Sequence, residues 1–279
     1  MFILYLCLTI VTISIAEEIL TPIRKSITPI FIFLSGVLAV GFATRYLDHR
    51  PFRSIGFQSF DATWWREFAA GALIGLLITG GILGVYLLTG WATVTGWFEI
   101  GEKNEYFAFA FAFILYLSIA ITEEVMFRGY LITNLIEGIP ESVGKGIDRY
   151  LPTESRTTGL VLIAIVISSA VFAEFHGNNL TAMQYVHFWL TGLLLGIPYV
   201  LTGRLALPIG IHLTYNLGLT NIFNVQGGRP AVIAIERSGP TLFATSEGLT
   251  ETAFVIIGIA LVLLWWTLRG VDPGISRNQ

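Results

Sequence analysis

Apolar residues occupy most of the chain in long runs, and short polar stretches separate these runs. A transmembrane helix needs about 20 mostly apolar residues. Runs of about this length predict eight membrane spans, at residues 2–16, 28–44, 67–88, 106–136, 158–176, 181–201, 205–223 and 251–268. The first span is short, but it has neither the basic start nor the clear cleavage site of a removed signal peptide. We therefore predict an all-α membrane protein with about eight transmembrane helices.

The composition favours the same class of protein. Hydrophobic residues make up 54% of the chain and charged residues only 13%, whereas a soluble domain has roughly 25% charged residues. The net charge of -3 offers no basic surface, so no nucleic-acid partner is expected. Cys7 is the only cysteine, which excludes an internal disulfide and a cysteine-rich zinc site.

The loops between the predicted spans indicate how the protein is oriented. Lys and Arg total about 10 in the two termini and in the loops on their side, against about 5 in the other loops. Because basic residues concentrate on the cytoplasmic side, both termini are expected to be cytoplasmic. Arginine greatly outnumbers lysine among the 16 basic residues, which weakly favours a prokaryotic cell membrane.

Several polar residues lie inside the predicted spans. Ionisable residues in a membrane usually face the interior of a helix bundle or a wet cavity, and they often mark function. They are Glu123, Glu124 and Arg128 in the fourth span, Glu174 and His176 in the fifth, His187 in the sixth, and His212 with Asn216 in the seventh. These residues are the candidates for a functional site.

The two adjacent glutamates of the fourth span differ in their helical neighbours. Glu124 and Arg128 are separated by four positions, so they lie on one helix face and can form an ion pair. Glu123 points about 100 degrees away and has no such local partner. A carboxylate of this kind suits general acid–base catalysis. The alternative is that all three charges merely tie helices together as an ion-pair cluster.

The fifth and seventh spans carry matching pairs at the same spacing. Phe172 and His176 are four residues apart, and so are His212 and Asn216, so each pair projects from one helix face. A lone histidine in an apolar helix is more often a hydrogen-bonded core residue than a catalyst. His187 is interpreted in this structural way.

Three segments together resemble a known family. The stretches "EEVMFR" at 123–128, "FAEFH" at 172–176 and "HLTYN" at 212–216 are similar, in order, to the three motifs of the CPBP intramembrane proteases. This family, also called ABI, includes type II CAAX prenyl endopeptidases and bacteriocin-processing or immunity proteins. The resemblance divides the chain into N-terminal helices with an interfacial segment (1–104), a catalytic core (105–223), and a loop with the last helix (224–279).

The resemblance implies eight helices around a polar, water-filled intramembrane cavity and proteolysis of a membrane-associated protein or peptide, which could be lipidated. Glu123 and His176 would activate a water, and His212 and Asn216 would stabilise the oxyanion. Glu124, Arg128 and Phe172 would support them. No cofactor is implied.

Other functions stay open at this level. Glu123, His176 and His212 also form a two-histidine, one-carboxylate set that zinc accepts. A catalytically silent scaffold, or an immunity or signalling protein of the same fold, is the second alternative, and a transporter is the weakest. Straight, upright helices would place Glu123, His176 and His212 at depths of about 20, 27 and 11 Å. Either the predicted span boundaries are therefore wrong by a turn or more, or some spans tilt or break.

Overall fold

The computed structural model describes residues 24–99, 103–140, 143, 158–177, 179–227 and 230–269. The predicted span at 2–16 lies outside them. The α-helices are α1 Arg24–Phe42, α2 Ala62–Leu88, α3 Lys103–Glu123, α4 Thr133–Gly138, α5 Thr158–Glu174, α6 Ala182–Thr202, α7 Ala206–Leu217 and α8 Leu249–Arg269. Three π-helical segments follow α1, α3 and α7 directly: π1 Ala43–Leu47, π2 Glu124–Ile132 and π3 Gly218–Ile222. A short 3₁₀ turn, Phe52–Ile55, precedes α2.

The helices have the lengths of an integral membrane protein. Within the described ranges, four helices are long and apolar enough to cross a membrane: Ala62–Leu88, Glu105–Gly138, Ala182–Thr202 and Leu249–Arg269. The predicted spans at 28–44 and 158–176 correspond to two shorter apolar helices, Phe33–Leu47 and Thr158–Glu174. The span at 205–223 is α7 continued by π3. The full number of eight spans stays a prediction.

The prediction of an all-α protein was wrong in one respect. Strands β1 Ala92–Glu99 and β2 Ala231–Arg237 form an antiparallel ribbon, with Ala92 opposite Arg237 and an irregularity between Val94 and Gly96. The segment "ATVTGWFE" is rich in β-branched and aromatic residues, which favour strands. A ribbon between apolar spans was missed because the prediction considered only helix-length runs.

Helix α7 is the buried centre of the bundle, and it crosses α2 at very close range. A Cβ atom added at Gly71 of α2 would collide with the carbonyl oxygen of Leu207, and one added at Gly210 would collide with that of Phe68. Small residues allow two helix backbones to approach in this way. The crossing fixes α7, and with it His212, in the middle of the molecule.

Helices α5 and α6 are also held together by a glycine contact. A Cβ at Gly192 of α6 would lie 2.7 Å from the Cα of Ser169. Helix α6 begins with a capping box, in which the Thr181 hydroxyl and the Gln184 side chain satisfy each other's backbone amides. It ends at Gly203, whose φ of 65° permits the left-handed turn into α7.

Candidate active site

An ion pair lies at the start of π2. Arg128 Nη1 donates to Glu124 Oε1 at 3.1 Å, and the two side chains are 1% and 0% exposed. The predicted pairing of these residues is therefore present. Arg128 Nη2 also donates to the carbonyl of Gly192 at 3.3 Å. The guanidinium stands 4.4 Å from the centre of the Phe172 ring, which is a cation–π contact.

His212 joins the same carboxylate from α7. Its Nδ1 is 2.8 Å from Glu124 Oε1, and because a carboxylate paired with Arg128 only accepts, Nδ1 must carry the proton. Glu124 thus orients a histidine as well as neutralising an arginine. Sequence reasoning missed this contact, since 88 positions separate the two residues.

Glu123 faces the other side of the same imidazole. Its Oε2 lies 3.7 Å from His212 Nε2. This oxygen is buried and has no hydrogen-bond partner in the described part of the chain, although the Glu123 side chain as a whole is 28% exposed. No ion pair within 4.0 Å joins Glu123 to His176 there. Of the two histidines, His212 is therefore the one that lies within ion-pair distance of Glu123.

His176 lies just beyond the end of α5, where it is exposed. Its Nδ1 is 2.8 Å from the carbonyl oxygen of Phe172. A carbonyl can only accept, so Nδ1 is protonated and Nε2 is the basic nitrogen of the neutral ring. The ring stacks on Phe188, with centroids 4.2 Å apart. Phe172 contacts the rings of both histidines, at 4.4 and 6.4 Å between centroids.

Two neighbouring cavities adjoin these residues. The larger has a volume of about 280 Å³, and its lining includes Glu123, His176, His212 and Asn216. The smaller, about 50 Å³, shares the last three of these residues. The Asn216 amide makes no hydrogen bond to another described residue, so its donors are available to a molecule in the cavity. The fold thus brings all four residues to one cavity system.

Some cavity residues were not expected from the sequence. Tyr215 lines both cavities, and so does His187, which the sequence assigned a structural role. His187 is indeed hydrogen-bonded, to Thr252 and Tyr215. The position of Tyr215, directly before Asn216, was the available signal. Glu174 is exposed.

Two π-helical segments, π2 and π3, begin within or shortly after motif segments. Segment π2 begins directly after Glu123, and π3 begins two residues after Asn216. Such segments are rare and occur frequently at functional sites. A regular α-helix was the prediction for both regions.

No metal centre is evident in the part of the chain that the structure describes. It contains no group of three or more His, Cys, Asp and Glu side chains arranged to hold a metal ion. The zinc alternative of Glu123, His176 and His212 stays an untested prediction.

Comparison with known proteins found one matching family model. Residues 103–218 match the family model described as type II CAAX prenyl endopeptidase Rce1-like. The matched segment contains Glu123, Glu124, Arg128, Phe172, His176, His212 and Asn216. No curated protein and no solved structure matches the chain. The predicted resemblance to type II CAAX prenyl endopeptidases is confirmed over this segment.

Proposed function

We propose that this integral membrane protein, whose residues 103–218 match the Rce1-like endopeptidase model, is an intramembrane endopeptidase. It hydrolyses a peptide bond of a membrane-associated protein or peptide with a water that a glutamate activates. The observation that carries this proposal is the position of Glu123, whose buried Oε2 has no hydrogen bond and faces His212 Nε2 at 3.7 Å beside a cavity.

Glu123 is the general base for hydrolysis. It removes a proton from a water as the water oxygen forms a bond to the peptide carbonyl carbon. The carbon–nitrogen bond then breaks, and the proton is passed to the leaving amine. His176 takes part in this transfer through Nε2, because Phe172 occupies Nδ1.

His212 and Asn216 stabilise the oxyanion. Glu124 accepts a hydrogen bond from Nδ1–H of His212, which turns the Nε2 edge of the ring towards Glu123 and the cavity. A ring that has taken up a second proton, at Nε2, donates Nε2–H to the oxyanion. Preorganised donors aimed at a developing negative charge are commonly worth 10²–10³-fold in rate, as an order of magnitude. Arg128 and Phe172 hold Glu124 and the two rings in place.

The cavity is the site of reaction within a bundle of eight transmembrane helices, and it contains water when the enzyme works. Both termini face the cytoplasm, in a prokaryotic cell membrane. The mechanism needs no metal. The catalytic core comprises residues 105–223.

A comparison of membrane proteomes tests the proposal. Cells that contain the wild-type protein should produce at least one new peptide terminus that is absent with Glu123→Gln. Glu174→Gln is the matched control, because it removes an exposed carboxylate two residues from His176 and should leave the terminus present. An identical set of termini with Glu123→Gln and wild type would refute hydrolysis that depends on Glu123, as expected of a silent scaffold.

Two further measurements define the chemistry. Metal analysis of the purified protein should find no stoichiometric zinc, and a chelator should leave cleavage unchanged. Zinc at one equivalent, with activity lost on its removal, would contradict the metal-free mechanism. Cleavage of the identified peptide with and without a prenyl group would show whether the substrate is lipidated.

A further inference from the structure

Three side chains from three helices form a hydrogen-bonded series beside the cavity. His187 of α6 has Nδ1 at 3.0 Å from the Thr252 hydroxyl of α8. Its Nε2 lies 3.4 Å from the Tyr215 hydroxyl of α7. All three are buried, with exposures of 2%, 7% and 6% for His187, Thr252 and Tyr215.

The series reaches the proposed oxyanion site. Tyr215 and His187 line both cavities, together with His212 and Asn216. Tyr215 is also the residue directly before Asn216 on α7. Tyr215 therefore shares the walls of both cavities with the two residues that are proposed to bind the oxyanion.

The direction of the hydrogen bonds decides what Tyr215 can do. When the Thr252 hydroxyl donates to Nδ1 of His187, Nε2 carries the proton and donates to the Tyr215 oxygen. The Tyr215 proton is then free for another acceptor. Glu247 and Glu251 lie near enough to influence Tyr215 electrostatically, but neither is hydrogen-bonded to its hydroxyl in the described chain. Glu251 Oε2 instead accepts from Gln226 and from the Glu247 amide.

We propose that Tyr215 is a catalytic hydrogen-bond donor to the oxyanion, alongside His212 and Asn216, and that His187 and Thr252 are its positioning residues. This inference rests on the proposed endopeptidase function. Phenylalanine would fill nearly the same volume as Tyr215, so the packing of helices at this position does not require a hydroxyl group. A role restricted to holding helices together would affect the stability of the protein and leave turnover unchanged.

Kinetics in proteoliposomes test the assignment, with a fluorogenic peptide that carries the cleavage sequence found by the proteome comparison. Tyr215→Phe should lower kcat about 100-fold, the order expected for loss of one oxyanion donor, and change KM less than about twofold. Thr191→Val is the control. It removes another buried hydroxyl from the wall of the smaller cavity and should keep kcat. Among the described residues, this hydroxyl bonds the backbone carbonyl of His187 and no other group.

Variants of the positioning residues separate this role from a structural one. Thr252→Val should lower kcat about tenfold, and Thr252→Ser should restore it, because serine retains the hydroxyl. His187→Phe should lower kcat in the wild type but have no further effect in Tyr215→Phe, since the two residues act as one unit. If Tyr215→Phe does not fold, the loss of kcat in Thr252→Val and its recovery in Thr252→Ser still decide the matter.

The outcomes distinguish this inference from the proposed function. If Glu123→Gln is inactive while Tyr215→Phe and Thr252→Val keep kcat within about threefold of wild type, the protein is a protease and the donor role of Tyr215 is refuted. If Glu123→Gln cleaves as wild type does, the proposed function itself fails.

Discussion

Two of the glutamate–arginine pairs in the described part of the molecule are similar in build but lie in very different places. Arg128 and Glu124 both lie on π2, where they are buried, whereas Arg269 of α8 donates to Glu67 of α2 at 2.6 Å. Each guanidinium lies over an aromatic ring, at 4.4 Å from Phe172 and 5.1 Å from Trp265. In both pairs the glutamate is buried and has one oxygen without a hydrogen bond in the described chain.

The pairs differ in what else touches them. Arg269 is 25% exposed and Arg128 only 1%, so only the second arginine depends wholly on its carboxylate for compensation. Only Glu124 also binds a histidine that faces a cavity. The comparison teaches that an intramembrane ion pair is by itself a structural device. The imidazole and the adjoining cavity make the region of Glu124 a candidate for chemistry.

The largest expected contrast comes from removing one carboxylate from each pair. Glu124→Gln leaves the buried charge of Arg128 uncompensated and should cost about 3–5 kcal/mol of unfolding free energy, with loss of cleavage. Glu67→Gln should cost about 1 kcal/mol or less, because a partly exposed arginine is stabilised by solvent. Denaturant unfolding in detergent micelles measures both. Equal losses in the two variants would mean that the pairs are equivalent.

Replacing both members of a pair separates stability from activity. Glu124→Met with Arg128→Met removes both buried charges, so the unfolding free energy should return to within about 2 kcal/mol of wild type. Cleavage should stay at least about 100-fold reduced, because His212 has lost the acceptor of its Nδ1 proton. Glu67→Met with Arg269→Met is the control and should keep cleavage. Recovery of activity in the first double variant would show that Glu124 has no role beyond charge balance.

Replacing each arginine by lysine keeps the positive charge but removes the planar guanidinium group. Arg128→Lys cannot retain both the Glu124 and Gly192 hydrogen bonds or the planar contact with Phe172, so it should cost about 1–2 kcal/mol. Arg269→Lys should be close to neutral. Unfolding of the two variants side by side checks this. If Arg269→Lys lost more unfolding free energy than Arg128→Lys, the idea that Arg128 depends more on its hydrogen-bond geometry would be wrong.

An exposed pair supplies the smallest effect. Asp61 caps α2 by accepting from the Trp64 amide, and it also pairs with Arg204 at 3.1 Å. The Trp64 amide, with the Ser59 hydroxyl and Arg204, lowers the pKa of Asp61 to about 2. A lowered pKa stabilises the folded protein above the unfolded value, near pH 4, and this contribution is lost as the pH falls towards 2.

Asp61→Asn should therefore be slightly less stable than wild type above pH 4. The difference should disappear by about pH 2, as Asp61 becomes protonated. Melting temperatures measured across this range test the sign. A difference that grows towards low pH would show that the Asp61 charge is unfavourable in the folded state.

Local features of the chain were sufficient to predict one contact of the candidate site and the order of its motif segments. The pairing of Glu124 with Arg128 needs only the helical repeat, and it is present. The three motif segments were found in order because each is a short pattern on one helix. The β1–β2 ribbon was missed because its strands lie far apart in sequence and are too short to stand out beside helix-length apolar runs.

The sequence alone determined the membrane class, the order of the motif residues and the local pairs, because composition and helical periodicity act over a few turns of chain. Only the tertiary structure decided that Glu123 faces His212 before His176, that Glu124 holds His212, and that Tyr215 and His187 share the cavity. These contacts depend on how closely helices cross. Helices approach closely where small residues such as Gly71 and Gly210 meet across the interface. The sequence of one helix does not show which face of another helix it will contact.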